Sequence, residues 1–345
     1  MRDLQNLIGR RQFMLGAGGF AAGALVSAAC ARDEFVSEPY VLPTAAQDDG
    51  HGARPVSSQD RPRPKGTLEK VRSALHEPAD PNQQKTLVIE ARDELVEVGG
   101  GVMLHAWTYD GEVPGKVVHV RQGDTIDFTF RNVGEIGHSI DFHAAQTPWN
   151  LNYVTIVPGE ELKFTWRANF PGVFMYHCGT GPVIEHIANG MYGAVIVDPA
   201  EPFEPAREYV LVQSEFYLKQ GDDGNWQGDA ERMAMVLPDF VVFNGAALQY
   251  QQEPLTAAPG ELIRLHVMNA GPTLFSAFHV IGAIFDRVYH DGNPTNVMQG
   301  IQTWTVPPGG GATFELRIPD VGQYPFVTHS FAYTGLGAVG LIDVA

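Results

Sequence analysis

The densest metal chemistry in the chain lies in Tyr176-His177-Cys178 and the residues after it, Y-H-C-G-T-G-P-V-I-E-H-I-A-N-G-M-Y-G. An apolar run, Val173-Phe174-Met175-Tyr176, leads into a histidine and a cysteine. Seven residues separate Cys178 from His186, and four more separate His186 from Met191. A lone cysteine behaves as a small buried hydrophobe and a lone methionine as core filler. Thiolate, imidazole and thioether on one loop are instead the ligand set of a mononuclear blue-copper site. The remaining histidine must come from elsewhere, and His138 is the candidate.

Successive side chains of a strand point to opposite faces. If Cys178 faces the copper, His177 faces away, and a second site there would be linked to the first through two adjacent residues. The same parity divides Gly137-His138-Ser139-Ile140-Asp141-Phe142-His143. His138 and His143 are five apart and fall on opposite faces, whereas Asp141 and His143 share one. His138 therefore goes with Cys178, and His143 and Asp141 go with His177.

The elements that must position these residues follow from the rest of the chain. At 345 residues, about two domains are expected. Gly 38 and Pro 24, with 18% charged residues, suit a turn-rich all-β architecture. A formal charge of −17 argues against nucleic-acid binding and favours a soluble surface with a basic protein partner. Of the two cysteines, Cys30 lies in the leader and Cys178 in the metal motif, so no disulfide is expected.

Residues 1–31 read as a twin-arginine-type export signal. Arg10-Arg11-Gln12-Phe13 precedes an uncharged, small and apolar run to Ala29. That implies a periplasmic or cell-envelope location. Ala28-Ala29-Cys30 resembles a lipoprotein cleavage site with Cys30 as the lipidated residue, although Ser27 stands where leucine is preferred. Residues 32–84, rich in Pro, Asp, Gln and Ser, read as a flexible tether to that anchor.

From Thr86 onward, short strands alternate with Gly/Pro turns and long helical periodicity is lacking. The pattern repeats. Pro158-Gly159-Glu160-Glu161-Leu162-Lys163-Phe164 is echoed by Pro308-Gly309-Gly310-Gly311-Ala312-Thr313-Phe314, and Gly193–Asp198 by Gly340–Val344. One β-sandwich unit is used twice, as domains 85–200 and 206–345. Tyr176-His177-Cys178 corresponds to Thr328-His329-Ser330. The second copy keeps the histidine and loses the thiolate, so it should hold no blue copper. His143, His177 and His329 then form a three-histidine set with an open fourth position, a catalytic metal geometry. His279 and Ile281 are read on one face of a further strand, Phe278–Gly282.

Over about residues 86–345 the chain resembles the copper-containing nitrite reductases. His138, Cys178, His186 and Met191 match that family's type 1 copper ligands, and His143, His177 and His329 its type 2 ligands. Asp141 and His279 match its active-site acid and histidine, and Ile281 the isoleucine beside the substrate. Gln302-Thr303-Trp304 is similar to the segment that supports the active-site histidine. The resemblance implies two tandem cupredoxin-like Greek-key β-sandwich domains and two copper ions per subunit. It also implies a homotrimer with the type 2 copper between subunits, nitrite as substrate, and a small cupredoxin or c-type cytochrome as electron donor. The leader, the tether and the I-A-N-G-M-Y-G loop look most like the lipid-anchored members. Two departures are Gln146-Thr147-Pro148-Trp149-Asn150, where most members have a small glycine-containing loop, and Ile284, where some have a second histidine.

Two other functions compete. A laccase-like multicopper oxidase needs His-x-His pairs for its trinuclear cluster, and the chain has none. A blue-copper electron carrier would explain Cys178 but leave His143, His177, His329, Asp141 and His279 idle. The other histidines, His51, His76, His105, His119, His266 and His290, are scattered and read as surface or structural.

Overall fold

The computed structural model describes residues 61–76 and 85–345. The export signal and Cys30 lie outside the described residues. The body is all-β and consists of four sheets stacked as two sandwiches. In the first, a six-stranded sheet carries Thr86–Gly99, Val102–Tyr109, Thr125–Asn132 and Glu161–Arg167. It packs on a four-stranded sheet of Gly115–Arg121, Tyr192–Asp198, Gly172–His177 and the two-residue strand Asp141–Phe142. In the second, a seven-stranded sheet is built on Arg207–Phe216, Leu262–Gly271 and Gly311–Arg317. It faces a five-stranded sheet containing Ser276–Val280, Thr303–Val306 and Gly322–Thr328.

The sandwiches share apolar surface. Val96, Met175 and Ile196 of the first pack in one cluster with Val210, Val242 and Met268 of the second. Burial on this scale is non-directional and proportional to the area removed from water. Specific polar contacts add to it: the Tyr192 hydroxyl donates to Ser214 Oγ at 2.6 Å, and Val173 N–H to the Asp291 carbonyl at 2.7 Å.

Two segments depart from the sequence boundaries. Leu218–Gln220 and Trp226–Gly228 form a hairpin, and Trp226 pairs with Leu104, so part of the expected second domain extends the sheet of the first. Residues 61–76 fall in the span expected to be a free tether, yet they are strapped to the body. Leu75–His76 pair with Tyr209 and Glu208. Leu68 and Ala74 are buried, and the Arg72 guanidinium donates to the carbonyls of Asn244 and Glu97. Too few apolar residues stand at regular spacing for the pattern to announce this docking. Backbone and side-chain hydrogen bonds do most of it.

The strand carrying the metal motif is seated on glycine. Gly115 and Gly193 face each other across a parallel pair, and the Tyr176 ring lies over both. A Cβ on Gly193 would stand 2.3 Å from Tyr176, and one on Gly115 2.5 Å from its hydroxyl. That hydroxyl donates to the Lys116 carbonyl at 2.7 Å. Gly193→Ala should therefore displace Tyr176, one residue before His177. Overpacking of this kind costs about 1–3 kcal/mol. The melting temperature should fall by several degrees, and an unchanged melting curve would refute the seating.

Candidate metal centres

The strand Gly172–His177 ends where the chemistry begins. Antiparallel pairing sets Asp141 opposite His177 and Phe142 opposite Tyr176. Directly opposed residues share a face, so Asp141 and His177 point the same way. Cys178, one residue on, turns to the other side, into the core.

On that inner side, His138, Cys178 and His186 are all buried. His138 Nδ1 lies 3.2 Å from His186 Nδ1, which lies 3.3 Å from Cys178 Sγ. Nitrogen and sulfur ligands at about 2.0 and 2.3 Å from one ion, in tetrahedral or trigonal array, stand about 3.3–3.7 Å apart. The three atoms therefore nearly match the spacing of a single coordination sphere. Burial pushes the His138 and His186 imidazoles down to about 4, with His138 adding to the effect on His186. Both are then neutral at pH 7 with lone pairs available, as a ligand must be. Met191 is fully buried, and its carbonyl accepts from Cys178 N–H at 3.1 Å, which folds the helical turn Val183–Ala188 back over the cysteine.

Several supports were not legible as ligands. Ser139 N–H donates to Cys178 Sγ at 3.4 Å, and Ser139 Oγ accepts from Gly179 N–H and Thr180 Oγ1. Asn132, fully buried, donates from Nδ2 to the carbonyls of Ile136 and Ile156 and so fixes the loop that delivers His138. Trp107 packs its ring 4.8 Å from His186 and 5.9 Å from His138. A buried Asn followed by Gly134 is the one local hint; the rest depends on strand pairing.

On the outer side, His143 Nδ1 donates to the Gly309 carbonyl at 3.1 Å, and His177 Nδ1 donates to the Cys178 carbonyl at 2.9 Å. Carbonyls only accept, so each ring keeps its proton on Nδ1 and presents a bare Nε2. The two Nε2 atoms face each other at 3.1 Å. Two acceptors so placed have no proton to share and suit a cation between them. Burial holds His177 below the ordinary histidine range, against the opposing pull of its hydrogen bond to Cys178. Asp141 completes a group whose ligand atoms lie within 4.8 Å of one another, with its Oδ2 4.0 Å from His177 Nε2.

His329 stands outside that group. It follows the strand Gly322–Thr328, its N–H donates to the Ala277 carbonyl, and its ring lies 5.5 Å from that of His279. His279 Nδ1 donates to the Gln302 carbonyl at 2.5 Å, which leaves Nε2 free. The Gln302 segment thus supports His279 through backbone. Ile281 lies past the end of the strand Ser276–Val280 rather than within it, because Gly282, at φ +85, turns the chain there. It is 39% exposed, and so presents its side chain to the surface rather than to the core. Asp141, His143 and His177 thus form one group, and His279 and His329 lie together apart from it.

The comparisons agree with this chemistry. A family model described as multicopper oxidase matches residues 90–202. The copper-containing nitrite reductase of Neisseria gonorrhoeae is 38% identical over 264 residues, 74% of this chain and 67% of that protein. The chain belongs to the copper-containing nitrite reductases. The solved copper nitrite reductase of Nitrosomonas europaea superposes with a TM-score of 0.70 at 40% identity, covering 76% of this chain and 94% of that one. The copper-containing nitrite reductase of Thermus scotoductus SA-01 gives 0.70 at 32% identity, over 75% and 61%. With copper as the metal of the family, the inner cluster has the soft, thiolate-containing donor set and the outer cluster the imidazole set.

The remaining described histidines join neither cluster. His266 is held by Thr313 and Glu208, His119 pairs with Asp198 and stacks on His76, and His105 pairs with Asp223. The departing loop forms one helical turn, Trp149–Asn152, with Trp149 74% exposed.

Proposed function

We infer that this chain reduces nitrite to nitric oxide, using one electron and two protons per nitrite and releasing water. The single observation that carries the reading is the pair of bare Nε2 atoms of His143 and His177, one peptide bond away from the buried Cys178 cluster. Bound copper would supply the one-electron couple and a Lewis-acidic centre. His138, Cys178, His186 and Met191 would hold the type 1 ion. His143, His177 and His329 would hold the type 2 ion.

The protein's own contribution is placement. Cys178 and His177 are neighbours, so the two sets of ligands are joined covalently by the shortest path the chain can offer. Asp141, on the face of His143 and His177, would present its carboxyl to the bound anion as proton donor. His279, with Nδ1 fixed by Gln302, has Nε2 free to deliver the second proton. Ile281 would limit the poses of the anion by bulk. Nitrite turnover by copper-loaded protein with an artificial reductant, with nitric oxide detected directly, tests this reading. Two coppers per chain without nitric oxide would overturn it.

We propose further that a homotrimer completes the site, His329 of one copy closing the His143–His177 pair of the next. Its support is that His329 stands outside the group of Asp141, His143 and His177 within one chain. Neither His143→Ala nor His329→Ala alone should turn over. Co-expressed, they should regain about a quarter of wild-type activity, since random assembly pairs an intact His143 with an intact neighbouring His329 at that frequency. Mixed oligomers that remain inactive would place the whole site within one chain. The physiological donor in this scheme is a small cupredoxin or c-type cytochrome, and the protein is exported to the periplasm, anchored through Cys30.

A further inference from the structure

One cavity away from the metal centres is cationic, although the chain carries a formal charge of −17. It has a volume of about 790 Å³ and is lined by Arg61, Arg63, Lys65, Lys219 and Arg232, with the indole of Trp226 on one wall. A pocket of 300–1,000 Å³ is the size that holds a small ligand.

Most of this charge is unpaired, Arg232 alone having an acid, Asp239, beside it. Among the described residues, none of Arg61, Arg63, Lys65 and Lys219 makes an ion pair. The nearby acids already have partners. Asp229 caps the helix Ala230–Ala234, accepting from the N–H groups of Glu231 and Arg232. Asp239 accepts from Arg232 Nη2 at 2.6 Å and from Leu218 N–H at 2.7 Å.

Arg232 is the second observation. It is only 9% exposed and lines the cavity, and its buried Nε–H has no hydrogen-bond partner. A buried unpartnered donor costs about 1–3 kcal/mol. The wall that brings Arg61, Arg63 and Lys65 here is rigid: Lys65 N–H donates to the Gly100 carbonyl at 2.6 Å, and Gly100 is packed so closely on Gly66 that a Cβ there would stand 2.3 Å from the Gly66 carbonyl oxygen.

We propose that this cavity is a binding site for a phosphate-bearing anion, separate from the nitrite site. Guanidinium forks match phosphate oxygens bidentately, lysines add point charge, and Trp226 offers a flat face for the body of the ligand. The phosphate can belong to a soluble polyphosphate or to a phospholipid headgroup. Calorimetric titration of the full copper-loaded chain with inorganic pyrophosphate and with glycerophosphoglycerol separates these sources. The first is a soluble polyanion and the second is the headgroup diester of an anionic lipid.

At least one probe should bind at low ionic strength, and the affinity should fall as salt rises. Combining Arg63→Gln, Lys65→Gln and Lys219→Gln should weaken that binding at least 10-fold. All three side chains are exposed and unpaired, so the melting curve, visible absorption and nitrite turnover should stay at wild-type values. Pyrophosphate binding alone assigns the site to soluble phosphates, and binding of the diester assigns it to lipid. Absence of binding by both, or binding unchanged in the triple variant, would overturn the site. Neither result depends on nitrite reduction.

Discussion

Cys178→Ser is expected to abolish the intense visible absorption of the loaded protein while leaving the outer, imidazole-bound metal in place. The band comes from thiolate bonding to copper, and serine offers a hard, weakly acidic hydroxyl instead. The loss should be complete rather than graded, because Cys178 is the sole thiol among the described residues. The substitution should be tolerated structurally. Sγ is already surrounded by polar groups, with Ser139 N–H at 3.4 Å and Ser139 Oγ at 3.8 Å. Metal analysis should fall from two coppers per chain toward one, and nitrite turnover with a protein donor should collapse with it. Absorption that survives in Cys178→Ser would mean the thiolate is not the ligand.

The grouping of most candidate ligands could be read in the sequence, for a physical reason. Thiolate, thioether and imidazole are scarce and chemically distinct, and period-2 alternation assigns each to a face without knowledge of the fold. That logic placed His138 with Cys178, and Asp141 and His143 with His177, as the pairing of Asp141 with His177 now shows. It failed where position depends on backbone. The carbonyls of Gly309, Cys178 and Gln302 decide the tautomers of His143, His177 and His279, and a carbonyl leaves no trace in residue identity. The strand expected over Phe278–Gly282 also ends two residues early, at Val280, where the chain turns at Gly282. The hairpin 218–228 and the strap 61–76 show the same limit at larger scale. Their pairing partners are remote, and strands of two or three residues carry too few side chains to display a period.

Asp141→Asn should leave both metals bound and lower nitrite turnover about 10²-fold or more, the usual scale for lost general-acid help. Asparagine keeps the size and the hydrogen bonding of aspartate but cannot cycle a proton. Metal retention is expected because His143 and His177 are held by the Gly309 and Cys178 carbonyls, not by Asp141, whose Oδ2 reaches only to 4.0 Å from His177 Nε2. His279→Ala should act similarly, since the ring is oriented by Gln302 and its free Nε2 has no structural partner to lose among the described residues. If both residues serve one proton relay, the double variant should lose less than the product of the single losses. Reduction of the blue copper by a small reductant, followed by its visible band, should be unaffected in all three, which separates proton delivery from electron entry. Unchanged turnover in fully loaded Asp141→Asn would remove Asp141 from proton delivery. Loss of the outer metal in that variant would show instead that the carboxylate helps to hold it.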